Sequence, residues 1–302
     1  MKTERDLTNK TNIYCYCIIK TPDDTAGTVP IYGRCNGNLQ VSNHIGRMGT
    51  APKVIESIQG MDSNYNLYYI SHKDVSMVVS KVSQNEFSEN KLNDAIENIT
   101  WLGRYAVRHE EIVGIVMKRY LPLLPMKFCT ICEEEACIEM IMGKHYSKFI
   151  DTLNYFKDKE EYGVKMYVER DVFKKKMGTA VGAVPKAIKA EDNDNPGRNY
   201  LLKRKFEKQT QEILAIELSS RTKMMHSLIS EWTAKSVSNR IINDSNTKDE
   251  MLVHNASCLV ENKYLDKFHH TISRLNDSYA SEGFRIVTSG PWPCYNFSPK
   301  IN

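Results

Sequence analysis

The sequence predicts an α+β protein of two domains, and three observations predict it. A chain of 302 residues, 41% apolar and 26% charged, is long enough to bury two separate cores. From residue 162 onward, strand-like alternation and helical periodicity follow one another as β-α-β-β-α-β. With right-handed crossovers that order gives a ferredoxin-like antiparallel sheet covered on one face by two helices. The earlier part reads β-β-β-α-β, a related antiparallel α/β sandwich broken by a long insertion. The expected domains are 11–131, with 21–62 as the inserted loop, and 132–289, opened by a leading helix. Residues 290–302 are expected as a C-terminal tail docked on the protein.

Each element has a local reason. Ile13, Cys15, Cys17 and Ile19 alternate with Tyr14, Tyr16 and Ile18, the period of a buried strand. Residues 21–62 are rich in Gly, Asn, Ser and Pro and are unusually long for a connection in a compact domain. A hairpin follows, Leu67–Ile70 and Val75–Val79, turning at Ser71–Asp74. Ser88 or Asn90 can cap a helix whose apolar residues Leu92, Ala95, Ile96, Ile99, Leu102 and Ala106 recur at three and four. That pattern runs on through Val113 and Met117, with a bend expected near His109, until Pro122 and Pro125 stop it. Pro125–Thr130 reads as a short strand or connector. Glu133, Glu134 and Glu135 suit the positive end of a helix dipole. Cys137, Ile141, Phe149, Leu153 and Phe156 mark the apolar stripe of the helix they open.

In the second half Tyr162, Val164, Met166 and Val168 alternate cleanly, and 179–198 reads as a linker loop. A long helix over 199–232 has Leu202, Phe206, Ile213, Leu228 and Trp232 as core candidates. Strands at 235–240 and 251–260 flank a polar turn. Leu265, Phe268, Ile272, Leu275 and Tyr279 predict an amphipathic helix, and Phe284–Thr288 a closing strand. After it comes Gly290-Pro291-Trp292-Pro293, then Tyr295 and Phe297. Three aromatics would expose much apolar area in a loose tail, so Trp292, Tyr295 and Phe297 are expected to pack back onto the protein.

Charge and composition exclude several classes. The net charge of +4 implies no strong field, and Lys174–Lys176 and Lys203–Lys205 read as solvated surface, so nucleic acid is not an expected partner. The charged first ten residues are not a secretory signal, and no apolar run approaches the ~20 residues of a membrane span. The eight cysteines are expected as reduced thiols in the cytosol.

No catalytic constellation emerges. Cys129-x-x-Cys132 with Cys137 has zinc-like spacing but lacks a fourth local ligand, and Cys137 falls on an apolar stripe. His109-Glu110-Glu111 begins like a metalloprotease helix without its second histidine, so His109 reads as a surface or helix-contact residue. His269 and His270 point to different sides of one helix, and no phosphate loop or nucleophile elbow is present. No metal, cofactor or small-molecule substrate is expected.

Several segments, in order, carry a family likeness. They are Ile13-Tyr14-Cys15-Tyr16, Val75–Val82, His109-Glu110-x-Ile112-Val113, Pro125–Thr130 and Tyr162-Gly163-Val164-Lys165. Then come Gly197-x-x-Tyr200-Leu201-Leu202-x-Arg204-Lys205, Asn255–Val260 and Thr288–Phe297. Together they resemble the gas vesicle protein F/L family over most of 13–297, outside the 21–62 insertion. The resemblance implies a non-enzymatic accessory or minor structural protein of gas vesicle formation, cytoplasmic and vesicle-associated. It implies as partners the hydrophobic main shell protein, whose aggregation it would limit, and other gas vesicle accessory proteins. Trp292, Tyr295, Phe297, Phe128 and Tyr200 are the candidate structural or partner-contact residues. The alternative is a regulatory protein using a ferredoxin-like sheet to bind a ligand or RNA; stacked aromatics with basic rims on that sheet would mark RNA.

Overall fold

The structure, a computed structural model, describes residues 10–22, 33–35, 38–40, 55, 57–88, 97–180, 196–241 and 250–301. The chain divides into two compact units, Met1–Asp158 with Trp292–Asn302, and Lys159–Pro291. The division falls after Asp158 rather than at 131/132. The helix read as leading the second domain belongs to the first unit, and so does the tail beyond Pro291. Both units combine helices with antiparallel sheet.

In the first unit β1 (Thr11–Lys20) is central and almost wholly buried. β4 (Tyr68–His72) and β5 (Val75–Ser83) lie on one side of it, after a small hairpin of β2 (Gly33–Cys35) and β3 (Asn38–Gln40) within the expected insertion. β6 (Leu123–Pro125) and β7 (Ile131–Cys132) pair with the other edge of β1. The one-turn helix α1 (Gln84–Phe87) follows β5, capped by Ser83. α2 (Ile99–Met117) packs on β1, and α3 (Glu135–Phe156) on β1, β4, β5 and β6.

Three sequence expectations change here. A bulge between Cys15 and Cys17 breaks the alternation of β1. Tyr14, Tyr16, Cys17 and Ile19 therefore share one core, where strict period two would have split them. The far end of the 21–62 stretch is core, not loop: Ile55 and Met61 are buried, and the Leu67 amide bonds to the Ile58 carbonyl. Gly60 is needed there, because a Cβ would meet Ser80 Oγ at 2.3 Å. The expected helix start near Leu92 lies outside the described residues. α2 begins at Ile99, where the Asn98 side chain accepts from the Thr100 and Trp101 amides. Its buried face is Tyr105, His109, Ile112, Val113 and Val116, while Ile99 is 83% exposed.

The second unit contains β8 (Lys159–Glu169), α4 (Arg170–Ala180), α5 (Pro196–Ser230), β9 (Lys235–Ser238), β10 (Glu250–Glu261), α6 (Leu265–Tyr279) and β11 (Phe284–Trp292), whose last residue falls to the first unit. The sheet order is β11-β8-β10-β9, with β8/β10 and β10/β9 antiparallel. One core joins Tyr162, Val164, Met166 and Val168 of β8 to Phe173 of α4, Met225 and Ile229 of α5, and Phe268 and Ile272 of α6. Three helices thus contribute where two were expected. α4 was hidden because Arg170 to Lys176 is mostly charged, yet Phe173 and Met177, four apart, suffice to seat it. The Gly283 amide bonds to Ala280, and Gly283 holds φ +84° against the Glu169 backbone, a conformation that reverses the chain into β11.

Candidate interaction site

The C-terminal segment is anchored in the first unit by a chain of polar contacts. The backbone amide of Cys129 donates to Tyr14 Oη at 2.9 Å. Tyr14 Oη is 3.1 Å from His109 Nδ1, and His109 Nε2 is 3.1 Å from Tyr295 Oη. With the Cys129 amide donating to Tyr14 Oη, the tautomer in which Tyr14 O–H donates to Nδ1 and Nε2–H donates to Tyr295 gives every hydrogen in the chain an acceptor. The Tyr295 hydroxyl in turn is hydrogen-bonded to the Glu110 carboxylate. Burial holds the His109 pKa down at about 4, and burial raises those of Tyr14, Tyr295 and Glu110. The imidazole is therefore neutral at pH 7, and it is 1% exposed. Reading His109 as a surface residue was wrong; helix contact was right. Its place three residues before Ile112 and four after Tyr105, on the buried stripe, was the available signal.

The expected site residues separate into groups. Phe128 and Tyr295 meet around His109, with ring centroids 5.9 and 6.3 Å from the imidazole. Phe297 is half-buried. Trp292 is 47% exposed, and Pro293 and Cys294 occupy the buried positions beside it. Pro293, Cys294 and the Tyr295 hydroxyl hold the tail in place. Tyr200, on α5 of the second unit, is 57% exposed, with Arg204 over its ring at 5.5 Å.

α5 carries a second apolar face. Leu214, Leu218, Met225 and Ile229 pack toward the unit's core. Leu202, Phe206, Ile213 and Ile216, at intervals of four, seven and three, lie on a different side of the helix. Leu202, Ile213 and Ile216 are 44%, 39% and 67% exposed, so two of the core candidates read from the sequence are surface residues. Periodicity identified an apolar face without saying which of two faces meets the sheet. Around the first turns stand Arg198, Lys203, Arg204, Lys205 and Lys208, against Glu207 and Glu212.

The chemistry on offer elsewhere is limited. Among the described residues no group of three or more His, Cys, Asp or Glu side chains is placed to hold a metal ion. In the second unit Ser230 Oγ, His226 and His254 form a chain, with contacts of 3.3 and 3.0 Å. Burial lowers both histidine pKa values, that of His254 to about 4, so an uncharged imidazole stands where a charge-stabilising carboxylate would be needed. On the sheet face away from this core Tyr167 is the one aromatic among the described strand residues, under Arg285 at 4.6 Å. No described helix is long and apolar enough to cross a membrane.

The family model described as Gas vesicle synthesis protein GvpL/GvpF matches residues 12–299, and the chain belongs to that family. Gas vesicle protein L of Streptomyces sp. is 21% identical over 236 residues, 76% of this chain and 82% of that protein. Gas vesicle protein L1 of Halobacterium salinarum is 26% identical over 211 residues, 68% and 74% of the two chains. The crystal structure of the gas vesicle protein GvpF from Anabaena sp. superposes with a TM-score of 0.63 at 14% identity, covering 96% of this chain and 99% of that one. GvpF from Microcystis aeruginosa gives 0.59 at 14% identity, with the same coverage. At that identity the two crystal structures speak for the fold alone.

Proposed function

We propose that this chain is a non-enzymatic assembly factor or minor structural component of gas vesicles. It binds the hydrophobic main shell protein and limits its aggregation until the subunit enters the growing shell. The observation that carries the reading is family membership across 12–299, joined to an exposed apolar face on α5 that a hydrophobic partner would cover. In this reading the second unit is a ferredoxin-like domain presenting α5. Tyr200 and Trp292 are partner contacts, while Phe128, Tyr295 and Phe297 keep the tail in place. The protein acts in the cytoplasm and at the vesicle, with other gas vesicle accessory proteins as neighbours. Nucleic acid, membrane and small-molecule substrates have no part. Tyr167, the one aromatic on the sheet face away from the core among the described strand residues, offers no stacking platform for RNA, which weighs against the RNA-binding alternative.

Co-expression with the main shell protein tests this. The expected result is capture of the shell protein on the tagged chain and more of it in the soluble fraction than without the chain. Equal shell-protein solubility with and without the chain, and no capture, would sink the proposal.

A further inference from the structure

We propose that Cys132 and Cys137 are a redox pair, in which a hydroperoxide oxidises Cys132 and Cys137 resolves it to a reversible intramolecular disulfide. Three thiols of the first unit converge where β7 runs into α3. Cys137 Sγ donates to Cys132 Sγ across 3.5 Å. Cys15 stands on β1, where Ile13 and Tyr14 pair with Cys132 and Ile131, and its thiol also bonds to the Cys132 sulfur. Cys132 is therefore the common acceptor of two S–H groups. That arrangement favours its thiolate: the bonds from Cys15 first and Cys137 further hold the Cys132 pKa below the ordinary thiol value, against the effect of burial. Burial, the bond to Cys132 and the nearby carboxylates Glu134 and Glu133 keep Cys137 protonated.

Roles follow from position. Cys132 is buried and takes the attacking role; Cys137, in the first turn of α3, is partly exposed and takes the resolving one. Cys15 is buried in the central strand and remains a donor. The Cys129-x-x-Cys132 spacing is not the pair: Cys129 sits at φ 61° with its amide committed to Tyr14, and burial raises its thiol pKa to about 11. The three thiols are not a metal-holding group among the described residues.

The chemistry balances. The Cys132 thiolate attacks the peroxide oxygen, the O–O bond breaks, and an alcohol (water, from hydrogen peroxide) leaves with a proton drawn from solvent. The Cys137 sulfur, losing its proton, then attacks the Cys132 sulfenic acid, whose hydroxyl departs as water. Two thiols are oxidised and one hydroperoxide is reduced. To reach the S–S bond length of about 2.05 Å the sulfurs must close by roughly 1.5 Å, within reach of a side-chain rotation at Cys137.

The full chain is reduced, exposed to about one equivalent of hydrogen peroxide, alkylated and cleaved after glutamate. Glu133, Glu134 and Glu135 lie between the two cysteines, so cleavage separates them. The expected result is loss of two of the eight thiols and a peptide pair joined through Cys132 and Cys137, both reversed by dithiothreitol. Cys137→Ser is expected to give no joined pair and to carry Cys132 on to the sulfinic acid. Cys129→Ser is expected to keep the joined pair. A disulfide through Cys15 or Cys129 instead, or eight thiols still titrating after exposure, overturns the proposal.

Discussion

Acidification should release the C-terminal tail at His109. Both ring nitrogens are engaged, and the ring is packed against Tyr14 and Tyr16 of β1, Phe128, and Tyr295. A second ring proton would turn Nδ1 into a donor aimed at a Tyr14 hydroxyl that already receives the Cys129 amide. It would also bury a charge whose helpful neighbours are the Met126 carbonyl and, beyond Tyr295, Glu110. The folded pKa of about 4 lies below the ordinary 6.5. The contribution to stability is therefore present above 6.5 and is lost as the pH falls through that interval toward 4. At about 1.4 kcal/mol per pH unit the interval is worth about 3 kcal/mol, of which about 2.5 is lost by pH ~4.5. Glu110 works in the opposite sense: its folded pKa is raised, so its protonation favours the folded form as pH falls. The measurement that isolates the histidine is urea unfolding of the natural chain and of His109→Gln at about pH 7.5 and about pH 4.5. Glutamine keeps one acceptor and one donor but cannot titrate. The natural chain should lose about 2 kcal/mol more than the variant between the two conditions. Equal losses would refute the neutral, doubly engaged imidazole.

Other outcomes follow from the same contacts. Tyr295→Phe removes the hydroxyl that meets His109 Nε2 and Glu110 and should cost ~1–3 kcal/mol in urea unfolding, whereas Trp292→Ala, at a 47% exposed site, should cost less than ~1.5 kcal/mol. Trp292→Ala costing more than Tyr295→Phe would mean that the indole anchors the tail. On the alkaline side burial raises the pKa values of Tyr14, Tyr16 and Tyr295, so their contribution is present below the ordinary 10.0 and is lost as pH rises beyond it. A spectrophotometric titration should show a tyrosine fraction that ionises only as the chain unfolds. Leu202→Asp with Ile216→Asp should abolish capture of the shell protein while changing the folding free energy by less than ~1 kcal/mol, because both sites are exposed. Undiminished capture would remove α5 from the contact surface.

Much of the fold was legible because burial imposes period. The alternation in β8, the stripe on α6 and the hydrophobic run in β1 each named their element. What was not legible required knowledge of a partner within the fold. The bulge at Tyr16 depends on how β1 pairs with β5, and no local residue choice announces it. The Gly/Asn/Ser-rich character of 21–62 drew attention away from Ile55, Ile58 and Met61, spaced by three, which join the core of the first unit. α4 offered only Phe173 and Met177 among charges. The division of units was misplaced because α3 has an apolar stripe that suits either sheet. Contact with β1, β4, β5 and β6 assigns it to the first.

The tail shows most clearly how composition and placement part company. Pro291-Trp292-Pro293 invites an anchor made of the largest side chain, since a buried indole contributes most by area. The structure instead buries Pro293 and Cys294 and fixes Tyr295 by a directional chain through His109 to Tyr14. Apolar contact alone is non-directional and tolerates sliding. A chain of donors and acceptors is directional, so the Tyr295 hydroxyl between His109 Nε2 and Glu110 favours one register of the tail. Pro293, Cys294 and Tyr295 fix the tail, and Trp292 beside them stays 47% exposed.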